Sequence, residues 1–169
     1  MNRKYTIFAP LAVLSILTGC VSEKAANGTA AVETPEPRQD MISGVAIATD
    51  GDTVIIDSKN LDLWGIEAPN LDNSDGWFSR AALDQLIGEN GELVCIIKVK
   101  FKKRRDLAIC SNNKVGDVGR AMLQNGWAIV NRTDKKSQDV DTALAGVYGR
   151  TERRARESRA GLWAKYPLR

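Results

Sequence analysis

The chain has 169 residues, 43% of them hydrophobic and 27% charged, enough for one domain with a buried core and too few for two of ordinary size. It contains no histidine, which excludes imidazole-based general bases, nucleophile activation and metal ligation, so any metal must be held by carboxylates, carbonyls or cysteine. The formal net charge of +3 gives almost no global support for binding a polyanion, and local patches have to carry any such reading.

At the N-terminus Arg3 and Lys4 precede an apolar run over 7–17, interrupted by Pro10, and then Leu17-Thr18-Gly19-Cys20. The run is too short for a typical membrane-spanning helix. The quartet resembles a bacterial lipobox, which implies that 1–20 is a lipoprotein signal peptide and that Cys20 becomes the lipidated N-terminus. The other reading is an ordinary signal peptide with an incidental cysteine. Acyl chains would hold the protein on a membrane by roughly 0.8 kcal/mol per buried methylene. Val21 and Ser22 follow, with no aspartate first, and by resemblance to Gram-negative lipoproteins this favours the outer membrane, facing the periplasm. Without Arg3 and Lys4 the mature chain keeps 22 basic against 21 acidic residues. Residues 21–40, rich in Ala, Gly, Thr, Pro and Glu and without apolar periodicity, read as a flexible linker.

The domain is expected over 41–169. A strand at 45–48, a turn at Asp50-Gly51-Asp52-Thr53 and a strand at 54–56 form its first hairpin. After a turn at Ser58-Lys59-Asn60, a third strand is expected over 61–66, with Pro69 ending it. Ser74 or Asp75 caps a helix from about 76 to 87, stopped by Gly88, with Trp77, Ala81, Leu83 and Leu86 roughly on one apolar face. Strands follow over 93–101 and 106–110. Asp117 caps a short helix through Leu123 that stops at Asn125-Gly126. A short extended piece covers 127–130, and a last helix runs from about 144 to 158 and ends at Gly161. Strands first, then helices interleaved with returning strands, indicate an α+β fold. Five short strands with a helix after the third, and about three helices in all, fit a small barrel of the oligonucleotide/oligosaccharide-binding (OB) type. Trp64, Trp77, Trp127 and Trp163 are expected in the core.

Three blocks carry a family resemblance: Asp50-Gly51-Asp52-Thr53-Val54, then Leu63-Trp64-Gly65-Ile66-Glu67-Ala68-Pro69-Asn70, then Arg105-Asp106-Leu107-Ala108. Asp117, Gly126-Trp127-Ala128, Tyr148, Glu152, Ala155-Arg156 and Gly161-Leu162-Trp163 follow in order. Together, over about 42–163, they resemble the staphylococcal nuclease (thermonuclease) family. That resemblance implies a calcium-dependent phosphodiesterase acting on DNA or RNA. Asp52 and Glu67 would be the metal carboxylates, Ala68 a carbonyl ligand, Asp50 an acid behind them, and Arg105 the phosphate-clamping arginine. The chemistry asks for oxygen ligands around a hard cation, guanidinium groups on the phosphate, and a carboxylate to activate water.

The departures bear directly on activity. Glu67 stands where the family has aspartate, and its oxygens reach about 1 Å further on ordinary bond lengths. The family's second arginine position holds Asp62, which would repel phosphate, and its base-like glutamate position holds Asn70, which takes no proton at neutral pH. Losing one preorganised group costs around 10²–10³ in rate. Asp72 or Asp75 could replace the base, and Arg80 or Arg104 the second guanidinium. The run Phe101-Lys102-Lys103-Arg104-Arg105 lacks the glycine that the family hairpin carries. The resemblance therefore implies a nuclease-like envelope lipoprotein with a degenerate site. The alternative is a non-catalytic module on the same barrel that binds nucleic acid or an envelope component.

Cys95 and Cys110 lie opposite each other if the hairpin between the fourth and fifth strands is centred between Lys102 and Lys103, within disulfide reach. The other reading is two buried thiols. Two basic regions remain, 98–105 and the helix bearing Arg150, Arg153, Arg154, Arg156 and Arg159, the latter countered only by Glu152 and Glu157. Each fits a nucleic-acid surface, an anionic lipid surface or a solvated face. A monomer is expected.

Overall fold

A computed structural model describes residues 39–133 and 141–166. The chain divides into Met1–Glu36 and Pro37–Arg169, and every described residue belongs to the second unit. The signal peptide 1–20, the lipidation site Cys20 and the linker 21–40 up to residue 38 lie outside the described residues.

The expected α+β, OB-type barrel forms. Strands β1 (Met41–Ala48), β2 (Thr53–Ile56) and β3 (Lys59–Leu63) make an antiparallel meander. Strand β5 (Glu92–Val99) pairs with the other edge of β1, and β6 (Asp106–Asn112) pairs with β5. A parallel pairing of β6 with β3 closes the five strands on themselves, so no long strand presents a bare edge. Short strand β4 (Ile66–Glu67) pairs with β8 (Ile129–Val130), and β7 (Gly116–Asp117) folds back to pair antiparallel with the end of β6. Among the described residues four helices accompany the barrel: α1 (Ser74–Ile87), α2 (Val118–Gln124), α3 (Thr142–Glu157) and the single turn α4 (Leu162–Lys165).

The period-2 pattern decides which face is buried. Ala46 and Ala48 on β1, Val54 and Ile56 on β2, Leu61 and Leu63 on β3, and Leu93 and Cys95 on β5 point into the core, where helix residues Leu83, Met122 and Leu123 meet them. Tyr148 packs its ring edge-on to Trp64 at 5.5 Å between centroids, and its hydroxyl donates to Asp117 Oδ2 at 2.7 Å. Burial, with the Asp117 charge beside it, raises the Tyr148 hydroxyl far above its ordinary range.

Three expectations need correction. The strand expected over 61–66 is two strands, because Gly65 takes φ +73°, a left-handed conformation that turns the chain out of β3. The first helix is capped by Asn73, whose side chain accepts from Gly76 N–H at 3.1 Å, rather than by Ser74 or Asp75. The last long helix, Thr142–Glu157, lies close to the expected 144–158, and with the single turn Leu162–Lys165 the described residues hold four helices, in keeping with the about three expected. Trp77 is 56% exposed and not core; one residue along α1, Phe78 leans toward the half-buried Trp127, with ring centroids 6.0 Å apart.

Cys95 and Cys110 are directly opposite on β5 and β6 and form a disulfide. The register is that of a hairpin centred between Lys102 and Lys103, with an irregularity between Ile97 and Val99.

Candidate functional site

Asp52 ends the turn between β1 and β2. Asp50 folds its carboxylate over Gly51 N–H at 2.7 Å, and Thr49 N–H reaches Thr53 O at 3.0 Å, which tightens the turn. Gly51 is required there by packing: a Cβ would lie 2.1 Å from Ser79 Oγ, a buried hydroxyl that itself donates to Trp127 O. The turn therefore seats against α1, and Asp52 projects toward the end of β4. Its Oδ2 accepts Ala68 N–H at 2.9 Å. Ala68 thus meets Asp52 through its amide, which orients the carboxylate.

A hollow of about 350 Å³ opens between β3, β4 and the end of the β5–β6 hairpin. Asp52, Glu67 and Arg105 all line it, together with Asp62 and Arg104. Segments far apart in the chain thus bring the expected residues to one concavity. Asp50 and Ala68 lie behind it, tied in through Gly51 and Asp52 respectively. Asn131 and Thr133 form the opposite wall; no sequence motif marks them, and only the β4–β8 pairing brings that segment here.

The charges inside are arranged as a chain. Thr53 Oγ1 stands 3.1 Å from Asp52 Oδ1 and 3.1 Å from Asp62 Oδ1. A hydroxyl has one proton, so it serves one of these carboxylates at a time. Asp62 Oδ1 also receives Arg105 Nε at 2.5 Å. Burial is the main cause that lifts the Asp52 carboxyl above its ordinary value; the Ala68 and Thr53 hydrogen bonds pull it down, and the charges of Asp50 and Asp62 push it up further.

Two consequences follow for the chemistry. The guanidinium that would clamp a phosphate is engaged by the carboxylate of the neighbouring strand. Arg104 lines the same hollow, but its guanidinium lies over the Phe101 ring at 3.6 Å. Second, a calcium ion takes six to eight oxygens, and among the described residues no group of three or more acidic or cysteine side chains converges to hold one. Asp52 and the exposed Glu67 are the carboxylates that face the hollow without an ion-pair partner among the described residues. That donor set falls short of a built calcium site.

Arg104 apart, the residues considered as replacements are placed elsewhere. Asp75 is bound by Lys165 at 3.2 Å and by the Tyr166 hydroxyl at 3.0 Å. Asp72 accepts from Asn73, and Arg80 donates to Ala48 O at 3.2 Å. None of the three lines the hollow, and neither does Asn70.

One charged group escaped sequence reasoning as a structural centre. Glu152 on α3 is 2% exposed and accepts from Arg132, from Arg156 Nη2 at 3.0 Å and from Val130 N–H at 3.2 Å. Burial works against its ionised form, but these three donors outweigh it and hold the carboxyl below its ordinary range. The i, i+4 spacing of Glu152 and Arg156 was the available signal; Arg132 comes from a distant segment.

No protein-family profile matches the chain. It is 26% identical over 136 residues to the succinoglycan biosynthesis protein ExoI of Rhizobium meliloti (strain 1021), a stretch that covers 75% of this chain and 66% of that protein's length.

Proposed function

We propose that the chain is an envelope lipoprotein of thermonuclease type whose inherited phosphodiester-cleaving pocket is degenerate and which serves as a nucleic-acid-binding module. Cys20 carries the lipid, the outer membrane facing the periplasm is the location, and the protein is a monomer. The observation that carries the reading is the Arg105–Asp62 contact at 2.5 Å. An arginine clamp accelerates phosphoryl chemistry only when its guanidinium is free to meet charge developing on the phosphate oxygens. Here Asp62 occupies that guanidinium and adds a negative charge to the wall where phosphate would sit. Asp52 and Glu67 are the carboxylates that would hold calcium, and the pair alone gives weak binding.

The test is the full chain in mild non-ionic detergent, incubated with single- and double-stranded DNA, with and without calcium, beside Asp52→Ala. Salt-sensitive binding without cleavage is expected. Asp62→Asn, which frees Arg105 while removing an exposed ion pair worth under about 1 kcal/mol, should add a phosphate contact in the hollow that wild type lacks, and so tighten binding without unfolding the domain. Calcium-dependent cleavage that Asp52→Ala abolishes would refute the non-catalytic reading and restore a working nuclease.

The similarity to a succinoglycan biosynthesis protein supports a second reading, a role in making envelope or secreted polysaccharide. Loss of surface polysaccharide on deletion, in a strain whose protein binds no nucleic acid, would favour it.

A further inference from the structure

Beside the barrel hollow, and separate from it, lies a groove of about 540 Å³ on α3. The segment after β8 divides the two: Asn131 and Thr133 face the hollow, and Arg132 between them faces the groove. This alternation is what extended backbone imposes. Arg150, Arg153 and Arg156 supply the other cations, and their spacing of three places them along one helix face. Among the described residues the only carboxylate lining the groove is Glu152, already committed to Arg132, Arg156 and Val130 N–H. Glu152 therefore fixes two guanidinium groups in place, and Arg156 is further held over the Trp163 ring at 4.1 Å. Arg150 and Arg153 are exposed and have no ion-pair partner among the described residues.

Two glycines on the same face complete the groove. Gly146 and Gly149 lie within α3, where each costs about 1 kcal/mol relative to alanine. Neither is required by packing. A Cβ at Gly149 would meet nothing within 4 Å, and one at Gly146 would meet only Arg150 Nη1 at 3.4 Å. Neither glycine is among the positive-φ residues. What the missing side chains provide is room for a ligand to approach the helix backbone between the arginines.

We propose that this groove, rather than the barrel hollow, is where the protein holds the phosphodiester backbone of single-stranded nucleic acid. The lining has a strong excess of positive charge, guanidinium forks match phosphate oxygens, and the space left at Gly146 and Gly149 lets a narrow strand reach the helix backbone between the arginines. Among the described residues no aromatic lines the groove, so bases find no stacking platform on them and binding is to the backbone, independent of sequence. The inference rests on the nucleic-acid reading of the domain.

The test is anisotropy of a labelled oligo-dT on the full chain in non-ionic detergent, over a range of salt. Arg150→Ala/Arg153→Ala should weaken binding at least roughly tenfold and lower the salt slope by about 1.4, two phosphates at roughly 0.7 each on a single strand. Its Tm should hold, since both side chains are exposed and make no ion pair among the described residues. Gly149→Leu fills the floor of the groove and should also weaken binding, with an unchanged or higher Tm. Oligonucleotide binding by wild type that neither variant alters would overturn the groove and leave the proposed function standing. No binding by wild type would overturn both. Preference for phosphatidylglycerol mixed micelles over oligo-dT at equal phosphate, lost in the double variant, would reassign the groove to lipid and overturn the strand.

Discussion

Replacing Glu152 by glutamine leaves two guanidinium groups without the carboxylate that holds them. Glu152 is 2% exposed and joins β8 to α3 through Val130 N–H, Arg132 and Arg156. Removing one partner of a buried ion pair costs about 3–5 kcal/mol. The Arg132 side chain is 58% exposed and that of Arg156 27%, so both cations regain water, and the amide oxygen still accepts from Val130. The loss therefore belongs at the lower end, about 3 kcal/mol, or a fall in Tm on the order of 10 °C for a domain of this size. The pH dependence has a definite sign. The folded carboxyl lies below its ordinary 4.5, so its contribution is present above that value and is lost as pH falls through the folded pKa. Urea unfolding followed by tryptophan fluorescence should show wild type and Glu152→Gln well separated at pH 7 and converging below pH ~4. A difference under about 1 kcal/mol at pH 7, or one that fails to narrow on acidification, would refute this account of what ties the helix to the barrel.

Reducing the disulfide between Cys95 and Cys110, which are 15 residues apart, should lower stability by about 3 kcal/mol; urea midpoints with and without reductant measure this, and equal midpoints would contradict it. Asp52→Asn should behave opposite to Glu152→Gln. Burial, reinforced by Asp50 and Asp62, raises Asp52 above 3.8 despite its hydrogen bonds from Ala68 and Thr53. A raised carboxyl favours the folded state below its unfolded pKa, and that contribution is lost as pH rises through the folded pKa. The asparagine variant should therefore be more stable than wild type at pH 7 and gain nothing near pH 3, and a destabilised variant at pH 7 would count against this description of the hollow.

The barrel was legible because each strand carries its own evidence. Apolar runs at 45–48 and 54–56 on either side of the Asp50-Gly51 turn mark the first hairpin, whose inner face carries Ala46, Ala48, Val54 and Ile56, and the centre of the β5–β6 hairpin sets Cys95 against Cys110. Trp77 was misplaced for a related reason. A helical face is a prior about burial, but which part of the face is covered depends on where the neighbouring elements end, and α1 leaves Trp77 outside the packed stripe. The split of the third strand at Gly65 was equally hard to foresee, since a glycine within an apolar pattern is compatible with continuing or with turning.

For the site, motif order showed that Asp52, Glu67 and Arg105 could share a surface, and that Asp62 stands where a cation would serve phosphate. Sequence alone determined this much because residue type and chain spacing set local charge, turn chemistry and strand periodicity. Only the tertiary structure decided that Asp62 captures Arg105, that Ala68 offers Asp52 its N–H, and that Arg132 joins the arginines of α3 around Glu152. Those are contacts between segments tens of residues apart, and their distances depend on barrel closure and helix docking, which no local pattern encodes.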